Sequence, residues 1–228
     1  MRLLNTSTLK FRETYDPTAL GYMILSHRWS DEEVSFDDFL IAQQPEELIP
    51  PWQMPSVRRT QQSLGYEKIR RLCSFAKDRN FEWCWMDTCC IDKRSSAELS
   101  EAINSMWNWY RSASVCCVYL LDVPALDHDE EIIREKLRSS RWFYRCWTLQ
   151  ELLAPRKLLF CNKEWEVFRS ITKDTFFNWI SNTVSPDSDA THDSIAELSS
   201  ITGFPEAVLS DRSEIRNRAI AQRMSWAA

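Results

Sequence analysis

Three glycines, Gly21, Gly65 and Gly203, are all that a chain of 228 residues contains. Ordinary usage of about 7% would supply about 16. Glycine lets a backbone turn through positive φ and approach a phosphate without a Cβ in the way. With three so far apart, neither G-x-G-x-x-G, nor G-x-x-x-x-G-K-[ST], nor the G-x-S-x-G elbow can be written. Rossmann dehydrogenases, P-loop NTPases and standard α/β-hydrolases are thereby excluded.

Other compositional facts bound the chain further. Its length suits one α/β domain or at most two small ones. Lys and Arg number 28 against 33 Asp and Glu, a net charge of −5. An acidic chain without a basic block is a poor match for nucleic acid. Its richest basic stretch, Arg58, Arg59, Lys68, Arg70 and Arg71, is interrupted by Glu67 and apolar residues and reads as a solvated helix face. Eight cysteines could signal disulfides, yet the opening residues hold no leader-length apolar run. Several cysteines sit inside apolar runs such as Trp83-Cys-Trp-Met-Asp87 and Val115-Cys-Cys-Val-Tyr-Leu-Leu121. Reduced, buried thiols and a cytoplasmic protein are expected. No C-x-x-C occurs and His27, His128 and His192 are scattered, so no metal site is expected. No apolar stretch approaches the length of a membrane span.

Hydrophobic patterning predicts alternating strands and helices. Arg2–Phe11 and Tyr22–His27 read as extended segments. A short helix falls near Phe36–Gln43. Residues 45–62 carry four of the nine prolines and read as an irregular excursion. Leu64–Asn80 has helical spacing. Glu82–Asp87 is a strand. Ser95–Ser112 is a helix opened by Ser95-x-x-Glu98, a capping box, with Leu99, Ile103, Met106, Trp107 and Tyr110 on one stripe. Val115–Leu121 is a strand, Asp127–Ser139 a helix graded from acid to base, Cys146–Leu153 a helix, Lys157–Cys161 a strand, and Ile171–Ala228 a series of helices. Strands separated by helices predict a parallel sheet covered on both faces. The expected division is an α/β core over 1–165 and a helical extension over 166–228.

In open α/β sheets ligands sit beyond the carboxyl ends of the strands. That rule singles out Ser26, His27 and Trp29; Asp87, Thr88, Cys89 and Asp92; and Asp122. Ser26 and His27 are strand neighbours and face opposite ways, so either a catalytic His27 or one bonded to backbone fits. Cys89 is either a reactive thiol, with His27 as base, or packing. Asp87 and Asp92 suit ribose hydroxyls or the capping of the next helix. Trp147 and Glu151 are spaced i, i+4 on one helix face, with Arg145 and Gln150 beside them and Trp142 just upstream. A carboxylate beside an aromatic surface can stabilise an oxocarbenium-like state, the need of N-glycosidic cleavage. A core tryptophan with a surface glutamate has the same spacing. The 11 tryptophans also suit partner surfaces, with Trp52, Trp107, Trp109 and Trp165 as candidates.

Three motifs carry a family resemblance. Tyr22-Met-Ile-Leu-Ser-His-Arg-Trp29, followed by Asp31-Glu-Glu-Val-Ser-Phe36, resembles the opening of the fungal heterokaryon incompatibility (HET) domain. Trp85-Met-Asp-Thr-Cys-Cys-Ile-Asp-Lys93, running into Ser95–Met106, resembles its second motif. Ser140-Arg-Trp-Phe143 with Cys146-Trp-Thr-Leu-Gln-Glu-Leu-Leu-Ala-Pro155 resembles its third, and Ala221–Ala227 the start of a later segment. The resemblance implies a role in non-self recognition and cell death after incompatible fusion. It also implies a flavodoxin-like fold, because HET domains are distantly similar to TIR domains. Many TIR domains cleave NAD with a glutamate in a W-x-x-x-E-like segment. That role falls here on Glu151 as the candidate catalytic residue and on NAD as the candidate substrate. Ser26, His27, Trp29, Asp87, Cys89, Asp92, Arg145 and Trp147 become candidate pocket residues. The alternative is a non-enzymatic domain that associates with itself or with a protein partner; a Cys89 hydrolase is a third. Two departures stand out: Ser30 and Cys146 occupy positions where the family usually has glycine. The family also commonly continues past Ala228, which implies a truncated extension.

Overall fold

The computed structural model describes residues 1–125, 130–145, 147–173 and 188–210. Among these, seven strands and eight α-helices alternate, the α/β architecture that the pattern predicts. The chain divides into two compact units, residues 1–25 with 29–109, and residues 26–28 with 110–228.

In the first unit, β1 (Arg2–Asn5) and β2 (Phe11–Glu13) form an antiparallel hairpin with Leu4 opposite Phe11. The single extended segment expected there is thus a strand, a turn and a returning strand. The Asn5 side chain explains the reversal: its oxygen accepts from the amides of Ser7 at 3.0 Å and Thr8 at 2.9 Å. β1 is antiparallel to β4 (Trp83–Trp85), and β4 is parallel to β3 (Tyr22–His27). The order is β2-β1-β4-β3. Every residue of β3 and β4 is buried, as in strands covered on both faces.

Helix α1 (Phe36–Ala42) is capped by Ser35, whose hydroxyl accepts from the Asp38 amide at 3.2 Å. The proline-rich stretch is less irregular than expected, because Met54–Gln62 forms helix α2. Pro55 stands in its first turn, where a missing N–H removes no helical bond. Helix α3 (Leu64–Lys77) follows, capped by Ser63. Here the glycine scarcity has a structural counterpart. A Cβ on Gly65 would run into the backbone carbonyl of Glu32 and stand 2.9 Å from the Val34 amide.

Helix α4 (Ser96–Ser112) opens with half of the expected box: the Glu98 amide donates to the Ser95 hydroxyl at 3.2 Å. The Glu98 carboxylate instead holds Arg2 and the Asp92 amide, both at 2.8 Å. Its expected apolar stripe is only partly buried: Tyr110 is covered, as is Ala102, while Ile103 is 45% exposed.

The second unit orders its strands β5-β6-β7. β5 (Val115–Tyr119) is parallel to β6 (Lys157–Cys161), with Cys117 opposite Leu159. β7 (Val167–Thr172) runs antiparallel to β6, so Ile171 and Thr172 belong to a strand, not to the helices expected from Ile171 onward. A tight turn makes it possible: the Asn162 side chain accepts from the amides of Glu164 and Glu166, both at 3.0 Å. Antiparallel strands need only such a turn, whereas parallel ones need a crossover. The parallel sheet expected from alternation is therefore mixed, with antiparallel pairs on β1 and β7.

Helices α5 (Glu130–Ser139), α6 (Thr148–Leu153), α7 (Ser188–Thr202) and α8 (Glu206–Ser210) complete this unit. Gly203, at φ 71°, closes α7 by donating its amide to Ser199 at 2.9 Å. The expected starts of two helices, at Asp127 and at Cys146, lie outside the described residues, as do 174–187 and 211–228. Among the described residues no helix is long and apolar enough to cross a membrane.

Candidate functional site

The second unit holds a buried polar network, built from the loop before α6. Asp122, one of the polar residues past a strand, is its anchor. Its carboxylate accepts from the Ser140 hydroxyl at 2.9 Å and from the Arg141 amide at 2.7 Å. Ser140 in turn caps a 3-10 turn, Arg141–Tyr144, by accepting from the Trp142 amide at 3.3 Å. The Thr148 hydroxyl donates to the Trp142 carbonyl at 2.6 Å. Trp142 is thus fixed from both sides, its ring edge-on to Phe143 at 4.9 Å and Phe160 at 6.0 Å.

From there the network runs inward. The Trp142 indole N–H donates to Ser26 Oγ at 2.7 Å. Ser26 donates its own hydrogen to Glu151 Oε2 at 2.6 Å. Arg145 donates from Nη1 to the same oxygen at 3.1 Å and from Nη2 to Oε1 at 3.4 Å. Ser26 is fully buried and Glu151 only 5% exposed. A carboxylate out of water needs this degree of pairing. Glu151 also lies in the first turn of α6, where the helix dipole favours a negative charge. Its backbone carbonyl accepts from the Cys116 thiol at 3.8 Å, and the buried Lys173 ammonium donates to the Leu152 carbonyl. Burial, reinforced by the Glu151 charge, pushes the Cys116 thiol well above its ordinary range.

The structure thus joins Ser26, Arg145 and Glu151 but assigns the aromatic partner differently. The ring in the network is Trp142; Trp147 caps α6 with its backbone and is 41% exposed. The expected i, i+4 register is kept, since the Glu151 amide donates to the Trp147 carbonyl at 3.3 Å, but no hydrogen bond joins the Trp147 ring to the carboxylate among those of Glu151 described above. His27 is buried at 2% exposure on the strand beside Ser26.

Trp29, Asp87, Cys89 and Asp92 belong to the first unit. Trp29 donates its indole N–H to Asp87 Oδ2 at 2.8 Å, and the Lys93 ammonium stands 3.8 Å from its ring centroid. Burial lowers the Lys93 pKa, opposed by the charges of Asp87 and Glu33. Lys93 lies within the quoted second motif, but nothing in spacing marks it as the cover of Trp29. Asp92 neither caps α4 with its side chain nor stands open. Its carboxylate accepts from Arg94 Nε at 3.0 Å, and the Arg94 hydrogen bonds hold its pKa below the usual range.

Cys89 is fully buried. The neighbouring Cys90 thiol and burial together push its thiol well above the ordinary range, the reverse of what a nucleophile requires. The seven described cysteines are all buried thiols. Among the described residues no group of three or more His, Cys, Asp or Glu could hold a metal. Ser30, at one of the missing-glycine positions, is not among the residues with positive φ; its amide donates to Glu33 Oε1 at 2.9 Å. An ordinary residue serves that turn.

The heterokaryon incompatibility protein (HET) family model matches residues 22–130. Over 148 residues, 63% of this chain, the sequence is 40% identical to the vegetative incompatibility protein HET-E-1 of Podospora anserina. The chain spans about 10% of that protein's length. No solved structure matches. The Ser-His-Arg-Trp and Asp-Thr-Cys-Cys-Ile-Asp segments both fall inside the matched span, and residues 22–130 belong to the heterokaryon incompatibility protein (HET) family.

Proposed function

We propose that this chain acts in heterokaryon incompatibility, arresting growth and killing cells formed by fusion of unlike fungal partners. The observation that carries the reading is the 40% identity over 148 residues to a vegetative incompatibility protein. At the molecular level the geometry favours a module that signals by association, with itself or with a protein partner. Both oxygens of Glu151 are engaged, and Arg145 closes over them. Of the four tryptophans singled out for partner surfaces, Trp52 is 79% exposed and is the first to test.

A second reading is TIR-like cleavage of NAD at Glu151. It is favoured by Arg145, which lines an open groove while holding the carboxylate. One guanidinium displacement would then uncover Glu151. Inducible expression in a fungal host, with cellular NAD and nicotinamide followed alongside growth, separates the two. Growth arrest with NAD unchanged, lost in Trp52→Ala, supports association. NAD turnover by the purified chain, abolished in Glu151→Ala, replaces it with the enzymatic reading. Unimpaired growth on expression overturns the incompatibility role itself.

A further inference from the structure

Beside the Glu151 network, the second unit holds a groove of about 400 Å³, within the range of small-molecule sites. Its walls come from the end of α5, the 3-10 turn, the start of α6 and the end of α7. Their chemistry is one-sided. The charged residues lining the groove are Arg138 and Arg145, with no carboxylate among the lining residues. In a chain of net charge −5, two guanidiniums on one concave surface mark an anion site. Arg138 makes no ion pair among the described residues, whereas Arg145 keeps Glu151.

The same groove presents hydroxyls of a particular kind. Thr148, Ser200 and Thr202 line the groove, and each has spent its hydrogen on a backbone carbonyl, those of Trp142, Glu197 and Leu198, at 2.6 to 2.7 Å. What they retain toward a ligand is acceptor lone pairs, both on Thr148 and Ser200 and one on Thr202, whose oxygen also accepts from the Phe204 amide at 3.3 Å. A ligand that satisfies them brings O–H or N–H donors, which inorganic phosphate at neutral pH supplies poorly and a sugar supplies well. Tyr144, also lining the groove, is 80% exposed, an uncommitted aromatic face on which a planar ring can stack.

We propose that this groove binds a small phosphomonoester carrying sugar hydroxyls and a planar ring, of nucleoside-monophosphate size. Arg138 and Arg145 take the phosphate, the three hydroxyl oxygens accept from the sugar, and Tyr144 stacks on the ring. The site stands independently of the incompatibility reading, since its test measures binding alone.

Calorimetric titration of the full chain with adenosine 5′-monophosphate tests it, with adenosine and inorganic phosphate as separate arms. Saturable binding of the monophosphate is expected, at least about tenfold tighter than either fragment. Arg138→Ala should weaken it about tenfold or more, and Arg138→Lys less. Arg134→Ala, which removes a charge one turn away outside the groove, should leave it unchanged. Arg138 is exposed on α5, and an unchanged melting temperature shows that its variants fold. Absence of saturable binding, equal binding by either fragment, or equal loss in Arg134→Ala overturns the proposal.

Discussion

Arg145 closes the Glu151 carboxylate with a two-pronged contact, Nη1 to Oε2 at 3.1 Å and Nη2 to Oε1 at 3.4 Å. The two side chains are 20% and 7% exposed, so the pair is mostly withdrawn from water. Ser26 completes it from 125 residues away. This arrangement makes the carboxylate a structural keystone of the second unit.

Removing one partner of a buried pair leaves the other uncompensated. Arg145→Ala should therefore destabilise the chain by about 2–3 kcal/mol, discounted from the fully buried case for the partial exposure of Arg145. For a chain of this size that is a fall of roughly 4–12 °C in melting temperature by calorimetry. The double variant Arg145→Ala with Glu151→Ala should recover part of the loss, because no buried charge is then stranded. A double variant as unstable as the sum of the singles would refute the coupling.

Ser26 both accepts from the Trp142 indole at 2.7 Å and donates to Glu151 at 2.6 Å. Ser26→Ala leaves two buried polar groups short of a partner, at about 1–3 kcal/mol. Urea unfolding should show a lower midpoint at unchanged slope. Ser26→Thr keeps the hydroxyl and should lose less, unless its added methyl overpacks β3.

Alanine in place of a helical glycine ordinarily stabilises by about 0.5–1 kcal/mol. Gly65→Ala should do the opposite. Its Cβ meets backbone at Glu32 and Val34, and backbone cannot swing aside as a long side chain would. A loss of about 1–3 kcal/mol is expected, as for overpacking. Stabilisation in thermal melting would show that the loop before α1 does not pack on α3.

The seven described thiols are buried, and those of Cys84, Cys89 and Cys116 lie well above their ordinary range. A neighbouring thiol and burial raise the first two, and burial with the Glu151 charge raises the third. A thiol reagent at neutral pH should leave all seven unmodified in the folded chain and modify them in denaturant. Fast reaction of native Cys89, mapped by mass spectrometry, would revive a nucleophilic role for it.

Much of this protein is legible in its residues alone. Compact apolar runs such as Tyr22–His27 and Val115–Tyr119 demand burial on both faces, which makes them strands of a covered sheet. Ser35, Ser63 and Ser95 announce helix starts through local chemistry. The strand-end rule and the Trp-x-x-x-Glu spacing led to Ser26 and Glu151. Other features were invisible because they depend on partners distant in the chain. Strand direction for β1 and β7 rests on tight turns closed by Asn5 and Asn162. That Trp142 and not Trp147 joins the glutamate depends on its indole N–H reaching Ser26 from 116 residues away, which no local spacing announces. Spacing brought the acid and the serine forward as separate candidates. Only tertiary structure could join them, because a hydrogen bond across 125 residues leaves no periodicity in the chain. The three glycines likewise excluded phosphate loops by count, whereas the need for one at position 65 lies in the backbone of Glu32, which only folding brings against it.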